Sequence, residues 1–362
     1  MEKKFLKEKA SLLALLSIKG IGLFTIKKIY KKLKSFRKIF EDKNILKQNN
    51  LYLREEILEK IEKFEVEKYE EEILKLEEKN IKVIAFFEEN YPKKLLEIED
   101  FPPILYLKGK SKEIPDKCIA IVGTRHPSSY GIDVCERFTK ELVEYGFCIV
   151  SGGAKGIDYY AHKTALDNKG KTVCVLGSGF NMMYPYEHRK LFERIGEEGW
   201  LITEFSPDTK PDAFNFPKRN RIISGLSLGV LVVEAPERSG ALITAWWAGQ
   251  QGREVFAIPG NITSKYSIGT NKLIQNGAKL VMKVEDILEE FGIEKIKKPK
   301  KEIHLEELEE KVYKNLSFNP IHIDDLMEKT QLNLAQLSTI LLQLQIKGLI
   351  RELPGKQFVR KW

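Results

Sequence analysis

A doubly wound α/β fold with a mostly parallel sheet is the fold class this sequence predicts, and three observations predict it. Short, unbroken apolar runs recur between residues 117 and about 292: CIAIVG, FCIVSGG, TVCVLGSG, LITEF, GVLVVEA, EVFAIPG and AKLVM. Amphipathic segments of helical character alternate with them. Several of the runs end in glycine-bearing loops, where a chain leaving a strand needs room to turn. Strands apolar on both faces belong in a sheet covered by helices on both sides, which is the parallel, crossover-connected kind.

The region is therefore read as Rossmann-like, and the remaining elements follow in chain order. Residues 1–65 are rich in Leu, Ile, Lys and Glu and predict a helical domain. Its first stretch, MEKKFLKEKASLLALLS, turns from basic to apolar like a secretion signal, but no small-residue cleavage site follows, so it is read as a helix. Within SIKGIGLFTIKKIYKKL, the Gly20-Ile21-Gly22 turn gives a helix-hairpin-helix (SAM-like) pattern, with Lys27, Lys28, Lys31 and Lys32 on the second helix. Freed backbone N–H groups at such a turn can face a phosphate; a plain helical hairpin with a solvated basic face is the competing reading. Residues 66–293 form the α/β domain with an extension at its start. In that extension, 66–80 reads as a charged helix, and Pro92, Pro102 and Pro103 make 81–110 an irregular approach. EKIKKPKKE, residues 294–302, is a linker. Residues 303–362 read as a winged-helix-like unit: two helices, a turn near Thr330 to Asn333, and the hairpin-like GLIRELPGKQFV. Its second helix, LNLAQLSTILLQLQ, has no Arg or Lys before Lys347, so protein contact suits it better than groove reading.

With 362 residues the chain is too long for one ordinary core and fits two or three domains. No run of about 18 apolar residues predicts a membrane span. Cys118, Cys135, Cys148 and Cys174 lack metal-ligand spacing, and three lie in or beside apolar strands, as buried reduced thiols of a cytoplasmic protein would. The formal net charge of +8 allows a nucleic-acid partner without requiring one.

In a parallel sheet, ligands meet the loops at the carboxyl ends of the strands. Four such loops have anion-binding character: Gly123-Thr124-Arg125, the loop Ser151-Gly152 to Asp158 with Lys155, Gly177-Ser178-Gly179, and Arg238-Ser239-Gly240-Ala241. A dinucleotide fingerprint is incomplete, because Met182 stands where the third glycine belongs. Gly170-Lys171-Thr172 is no P-loop, since Ala165 replaces the leading glycine and a strand follows. The five histidines are scattered, Asp158 suits an N-cap, and no nucleophile has a base beside it. No cofactor, metal or catalytic residue is therefore expected. A ligand with phosphates in series and stackable bases fits these loops, which is single-stranded nucleic acid; each stacked base contributes about 1–3 kcal/mol. FNFPKRNRIISGLS carries the partners for it. Lys218, Arg219 and Arg221 would meet phosphates, Phe214 or Phe216 would support a base, and Ser224-Gly225 would let the helix pack closely. Phenylalanines in a core beside solvated arginines are the plainer reading.

VGTR, SGGAKGID, VLGSGFNMMYP, FPKRNRIISGLS, SGALITA and VFAIPG, in this order, together with YPKKLLEIEDFPPILYLKG before them, resemble the bacterial DNA-processing protein A (DprA/Smf) family over residues 85 to 285. That resemblance implies a non-enzymatic homodimer that binds incoming single-stranded DNA in natural transformation and loads RecA recombinase onto it against single-strand-binding protein. It implies DNA contacts at Arg125, along the loop from Ser151 to Asp158 with Lys155, and through the motif residues Phe216, Pro217, Arg219, Asn220 and Arg221; Gly123, Thr124, Gly152, Phe214 and Lys218 join them from the reading of the loops and the cationic cluster. Ser239 and Gly240 complete the candidate set. Two positions depart from the family pattern: Gly153 replaces a leucine, and Tyr186 stands where some relatives carry a basic residue. The alternative is a nucleoside phosphate-cleaving enzyme of a related Rossmann-like family. Here, however, PERSGALIT lacks the paired glycines of that family's loop, though Glu234 lies just upstream.

Overall fold

The computed structural model describes residues 2–42, 44–111, 113–294 and 305–360. They form two compact units, 1–291 and 292–362. The expected linker lies outside the described residues from 295 onward, as do positions 303 and 304.

A nine-stranded sheet organises the first unit. Its strands are β1 (Lys82–Ala85), β2 (Ile104–Gly109), β3 (Cys118–Val122), β4 (Cys148–Ser151), β5 (Thr172–Val175), β6 (Trp200–Thr203), β7 (Gly229–Val232), β8 (Glu254–Ala257) and β9 (Lys279–Leu280). They lie in the order β1-β2-β6-β5-β4-β3-β7-β8-β9. The seven apolar runs supply β3 to β9, all parallel to their neighbours within that set. Every residue of β3, β4, β5, β6 and β7 is buried, which is why these strands read as unbroken apolar text. The stretch 81–110 is not irregular. Pro102 and Pro103 end one segment immediately before β2, which pairs antiparallel with both β6 and β1. Proline punctuates the start of a strand as readily as it ends a helix.

The helices α1 (Glu2–Ser17), α2 (Leu23–Leu33) and α3 (Val66–Glu78) precede and flank β1. Their apolar faces share one core with β1 and with residues of β5 and β6. Tyr30 bridges the two, its ring 4.9 Å from Phe86 and 5.5 Å from Phe87 just past β1. Gly20 takes φ +105° in the turn between α1 and α2. Of the lysines on α2, Lys27 donates to the Glu99 carbonyl and Lys32 to those of Asn49 and Asn50, while Lys28 and Lys31 are exposed.

The crossovers are α4 (Ser129–Glu144), α5 (Ile157–Asp167), α6 (Arg189–Glu198), α7 (Asn215–Gly225), α8 (Gly240–Gln250) and α9 (Ile268–Gln275). Ser128 caps α4 by accepting from the Gly131 N–H, and Ser239 caps α8 by accepting from Ala241.

Among its described residues the second unit has three helices, α10 (Glu307–Asn315), α11 (Ile323–Thr330) and α12 (Leu334–Ile346), with a sheet of order β10-β12-β11. Here β10 is Ile321–His322, β11 Ile350–Leu353 and β12 Gln357–Arg360. Gln331, in the left-handed region at φ 56°, turns the chain between α11 and α12, and an Asn333–Gln336 capping box starts α12. Leu326, Leu337 and Leu344 fill its core, and Leu334, Leu342 and Ile346 are exposed on α12.

Candidate nucleic-acid interface

The sheet order reverses between β3 and β7. At such a switch point the two following loops diverge and leave a crevice. It is present here as a cleft of about 720 Å³, lined by residues 123–126 after β3, Pro236 and 238–241 after β7, Ala154 and Asp158 after β4, and Tyr184, Phe216, Arg219 and Asn220.

The loop after β3 is fixed at its base. Thr124 donates its N–H to the Glu234 carbonyl at 2.8 Å, and its own carbonyl accepts from Ile157 at 3.2 Å. Gly123 has no room for a side chain, since a Cβ would lie 2.5 Å from Ile157. With its backbone tied down, the loop presents Arg125 at the surface, the guanidinium carbon 5.9 Å from the centre of the Phe216 ring. That is cation–π distance, and it leaves the N–H groups of the fork available to a phosphate. Phe216 packs over Gly177, where a Cβ would lie 2.6 Å from the ring. Tyr184 stands 5.9 Å from Phe216, and Tyr186 stands 6.0 Å from Tyr184, so three rings run in a row beside the cleft. Phe214, 85 % exposed, precedes the start of α7. On the facing wall, Arg238 and Gly240 are exposed, and nothing lies within 4 Å of a Cβ placed at Gly240. Ser239 holds the Ala241 N–H with its hydroxyl and the Leu242 N–H with its carbonyl, so what the start of α8 turns toward the cleft is the positive end of a helix dipole.

The loops after β4 and β5 are different, and here the structure departs from the sequence reading. Ser151 is fully buried and donates to the Ile121 carbonyl at 2.7 Å. The Gly152 N–H is held by the Asp158 carboxylate at 3.0 Å, and Ala154 donates to the same oxygen. Asp158 is therefore not the N-cap of α5, a place Gly156 takes; it reaches back to tie its own loop. Arg219, only 4 % exposed, donates from Nη1 to the Gly152 carbonyl at 2.6 Å and to the Val175 carbonyl. A Cβ at Gly152 would lie 2.5 Å from that guanidinium, so the glycine makes room for an arginine of the protein itself. Burial pushes the Asp158 carboxyl up against the pull of Arg219, and burial also lowers the Arg219 pKa. Gly179 donates to the Thr209 carbonyl, which closes the β5 loop. Lys155 is paired at the surface with Glu187.

The cationic cluster of α7 divides by helix face. Arg219 and Asn220 line the cleft, whereas Lys218 and Arg221 face the other way. Arg221 is bound by Glu204 at 2.7 Å and Asp100 at 3.0 Å, and Lys218 meets Glu204 at 3.2 Å. The expectation that Lys218, Arg219 and Arg221 all reach phosphates is corrected: Arg219 and Arg221 are buried among protein acceptors, and Lys218 has an acid partner. Lys218 and Arg221, three apart, share one side of α7 while Arg219 and Asn220 lie on another, so one cluster in sequence becomes two sites in space. Tyr184 and Arg238 are cleft residues that the sequence reading left out of its candidate set, although both lie in motifs it quoted.

Glu234 is buried at the end of β7, its carboxylate accepting from the Ser128 N–H at 2.9 Å and from the Ser128 hydroxyl. Burial pushes this carboxyl up, with the Ser128 donors opposing. Among the described residues no cluster of three or more His, Cys, Asp or Glu could hold a metal ion, and no helix is long and apolar enough to cross a membrane.

Comparisons with known proteins agree with this architecture. Residues 82–292 match the family described as DNA recombination-mediator protein A, and residues 297–356 match the DprA winged helix domain. Protein Smf of Escherichia coli is 38% identical over 324 residues, covering 87% of this chain and 86% of that protein. The X-ray structure of DNA processing protein A from Streptococcus pneumoniae superposes with a TM-score of 0.66 at 32% identity, covering 81% of this chain and 98% of that one. A structure of the Helicobacter pylori protein, which describes that protein's single-stranded DNA binding mode, superposes with a TM-score of 0.52 at 28% identity over 58% of this chain and 95% of that one. With residues 82–292 and 297–356 both matched and Protein Smf 38% identical over 324 residues, the chain belongs to the DNA-processing protein A (DprA/Smf) family.

Proposed function

We propose that the cleft binds single-stranded DNA, and that the protein, as a cytoplasmic homodimer, delivers RecA recombinase to that strand in natural transformation or recombination, in competition with single-strand-binding protein. The observation that carries the reading is the pairing of Arg125 with the Phe216 ring at the mouth of the cleft, a cation beside a stacking surface. A single strand repeats that pair of demands at every nucleotide. In this reading Gly123, Thr124, Arg125, Phe214, Phe216, Asn220, Ser239 and Gly240 meet the strand, joined by Tyr184 and Arg238. Ser151, Gly152 and Arg219 hold the floor, and Lys155, Lys218 and Arg221 set the charge of the flanks. Cleavage of a nucleoside phosphate, the rival chemistry, would need a free carboxylate, and the Glu234 oxygens are taken by Ser128.

The test is fluorescence anisotropy of labelled oligo-dT over a salt series, with duplex as competitor. The protein should prefer the single strand. Arg125→Ala should weaken binding about tenfold and reduce the salt slope by about 0.7, one phosphate contact on a single strand. Unchanged affinity and slope would remove the cleft assignment. RecA assembly on a strand coated with single-strand-binding protein, with and without this protein, tests the loading role separately.

A further inference from the structure

The row of rings at the cleft does not end inside it. Phe216 and Tyr184 line the cleft, and Tyr186, 6.0 Å from Tyr184, stands outside that lining. Tyr186 is 66% exposed, and its hydroxyl has no hydrogen-bond partner among the described residues. The two tyrosine rings meet at 85°, edge to face. Such a contact covers one face of Tyr186 at most, so the other is open to solvent. The turn beneath it is fixed. Tyr186–His188 is a single 3-10 turn leading into α6, in which the His188 N–H donates to the Pro185 carbonyl at 3.1 Å. His188 is buried, with Nδ1 3.0 Å from the Gly153 carbonyl and its ring 4.9 Å from that of Tyr159. His188 thus anchors the turn inward while Tyr186 points out, and an aromatic ring on a fixed turn loses little freedom when something stacks on it.

We propose that Tyr186 is a base-stacking subsite outside the cleft: a single strand leaving past Phe216 and Tyr184 lays a further base on the Tyr186 ring. This inference rests on the reading of the cleft as a single-strand site. It adds the direction the strand takes, from the switch point toward the loop that follows β5. Every nucleobase has a π-face, so the subsite accepts any of them. Stacking and not charge carries the contact. Glu187 holds Lys155, and Glu193 holds Arg189 at 3.0 Å, so a phosphate arriving at this turn competes with a carboxylate for each of these cations. Tyr186 therefore adds affinity that salt does not remove, whereas the contribution of Arg125 fades as salt rises.

The test walks a single 5-iododeoxyuridine along an oligo-dT strand bound to the full chain, with ultraviolet cross-linking and mass mapping of the residue attached. One position should cross-link to Tyr186, distinct from any that cross-links to Phe216 or Tyr184. Removing the base at that position should weaken binding about tenfold, as loss of one stacked base does. Tyr186→Ala should do the same with the salt slope unchanged, and the two changes together should weaken binding no more than either alone. Tyr186→Phe, which keeps the ring, should bind like the parent. The proposal is overturned by no cross-link to Tyr186, by unchanged affinity in Tyr186→Ala, or by losses that add. It is equally overturned if Tyr186→Ala lowers the salt slope by about 0.7, or if Tyr186→Phe loses as much as Tyr186→Ala, since both report a phosphate contact in place of a stacked base. Arg125→Ala, measured alongside, keeps the two readings apart. Affinity that depends on Arg125 and not on Tyr186 removes the subsite and keeps the cleft; affinity that depends on Tyr186 and not on Arg125 removes the cleft and keeps the subsite. A parent protein that does not bind oligo-dT removes both.

Discussion

The loops after β3 and β7 and the loops after β4 and β5 draw on the same residue types: glycine, serine and a long cation. Their fates are opposite. At the switch point, adjacent crossovers leave the sheet in different directions, so Arg125 and Arg238 stay exposed over a cleft. One and two strands away the crossovers run in the same sense, and the loop backbones are tied to protein partners, although Ala154 and Asp158 still line the cleft and Lys155 is exposed. There Asp158 and Arg219 use the amides and carbonyls that a ligand would need. A glycine-rich loop is thus ambiguous by itself. Position relative to the strand-order reversal decides whether its backbone faces a ligand or the protein.

The largest effect should come from a cation on the closed side. Arg219→Ala removes two carbonyl contacts and leaves the Asp158 carboxylate buried beside an empty space, a change of the kind that costs about 3–5 kcal/mol. The urea midpoint should fall accordingly, whereas Arg125→Ala should move it by no more than about 0.5 kcal/mol equivalent, as exposed positions do. A stable Arg219→Ala protein that loses DNA binding would break the comparison.

The sequence made much of this legible because buried parallel strands write themselves as apolar runs. All seven runs between 117 and 292 became strands, and the Gly20-Ile21-Gly22 turn separates two helices as its text suggests. What was not legible depends on direction rather than composition. Nothing in KRNR says that Arg219 points to the sheet and Arg221 to Glu204, because that is settled by which face of α7 meets the sheet. Nor does a glycine state its reason: Gly152 yields space to Arg219, and Gly177 yields it to Phe216. The antiparallel β1 and β2 were hidden by Pro92, Pro102 and Pro103, which mark the boundaries of short elements. Tyr184 joins the aromatic row only through the fold, since 32 residues separate it from Phe216.

A titration should produce the next largest difference between the two sides. His162 on α5 is fully buried behind the closed loops, with Nδ1 2.7 Å from the Thr172 hydroxyl. Because that hydroxyl donates to the Ile149 carbonyl, the ring must donate from Nδ1, leaving Nε2 bare. Burial, helped by Arg219 and His188, lowers its pKa from 6.5 to about 3. A depressed pKa means stability that is present above pH 6.5 and is lost as pH falls toward 3, at a limiting slope of about 1.4 kcal/mol per pH unit. His162→Gln keeps a donor for Thr172 without the charge. Its urea midpoint should therefore fall less steeply than the parent's over that window, and parallel profiles would show that His162 does not govern the closed side.

The smallest effect sharpens the open side. Gly240 is the first residue of α8 after the Ser239 cap, is exposed, and has free space where a Cβ would stand. If its only duty were structural, Gly240→Ala would help, since alanine in a helix is favoured over glycine by about 0.5–1 kcal/mol. A slightly raised urea midpoint is therefore expected. The same methyl would stand at the helix start whose positive dipole end faces the cleft, so oligo-dT affinity should drop a few-fold while stability rises. Opposite signs in one substitution are the mark of a position left open for a ligand. A gain in stability with unchanged affinity would place the strand on the Arg125 wall alone and leave α8 as scaffold.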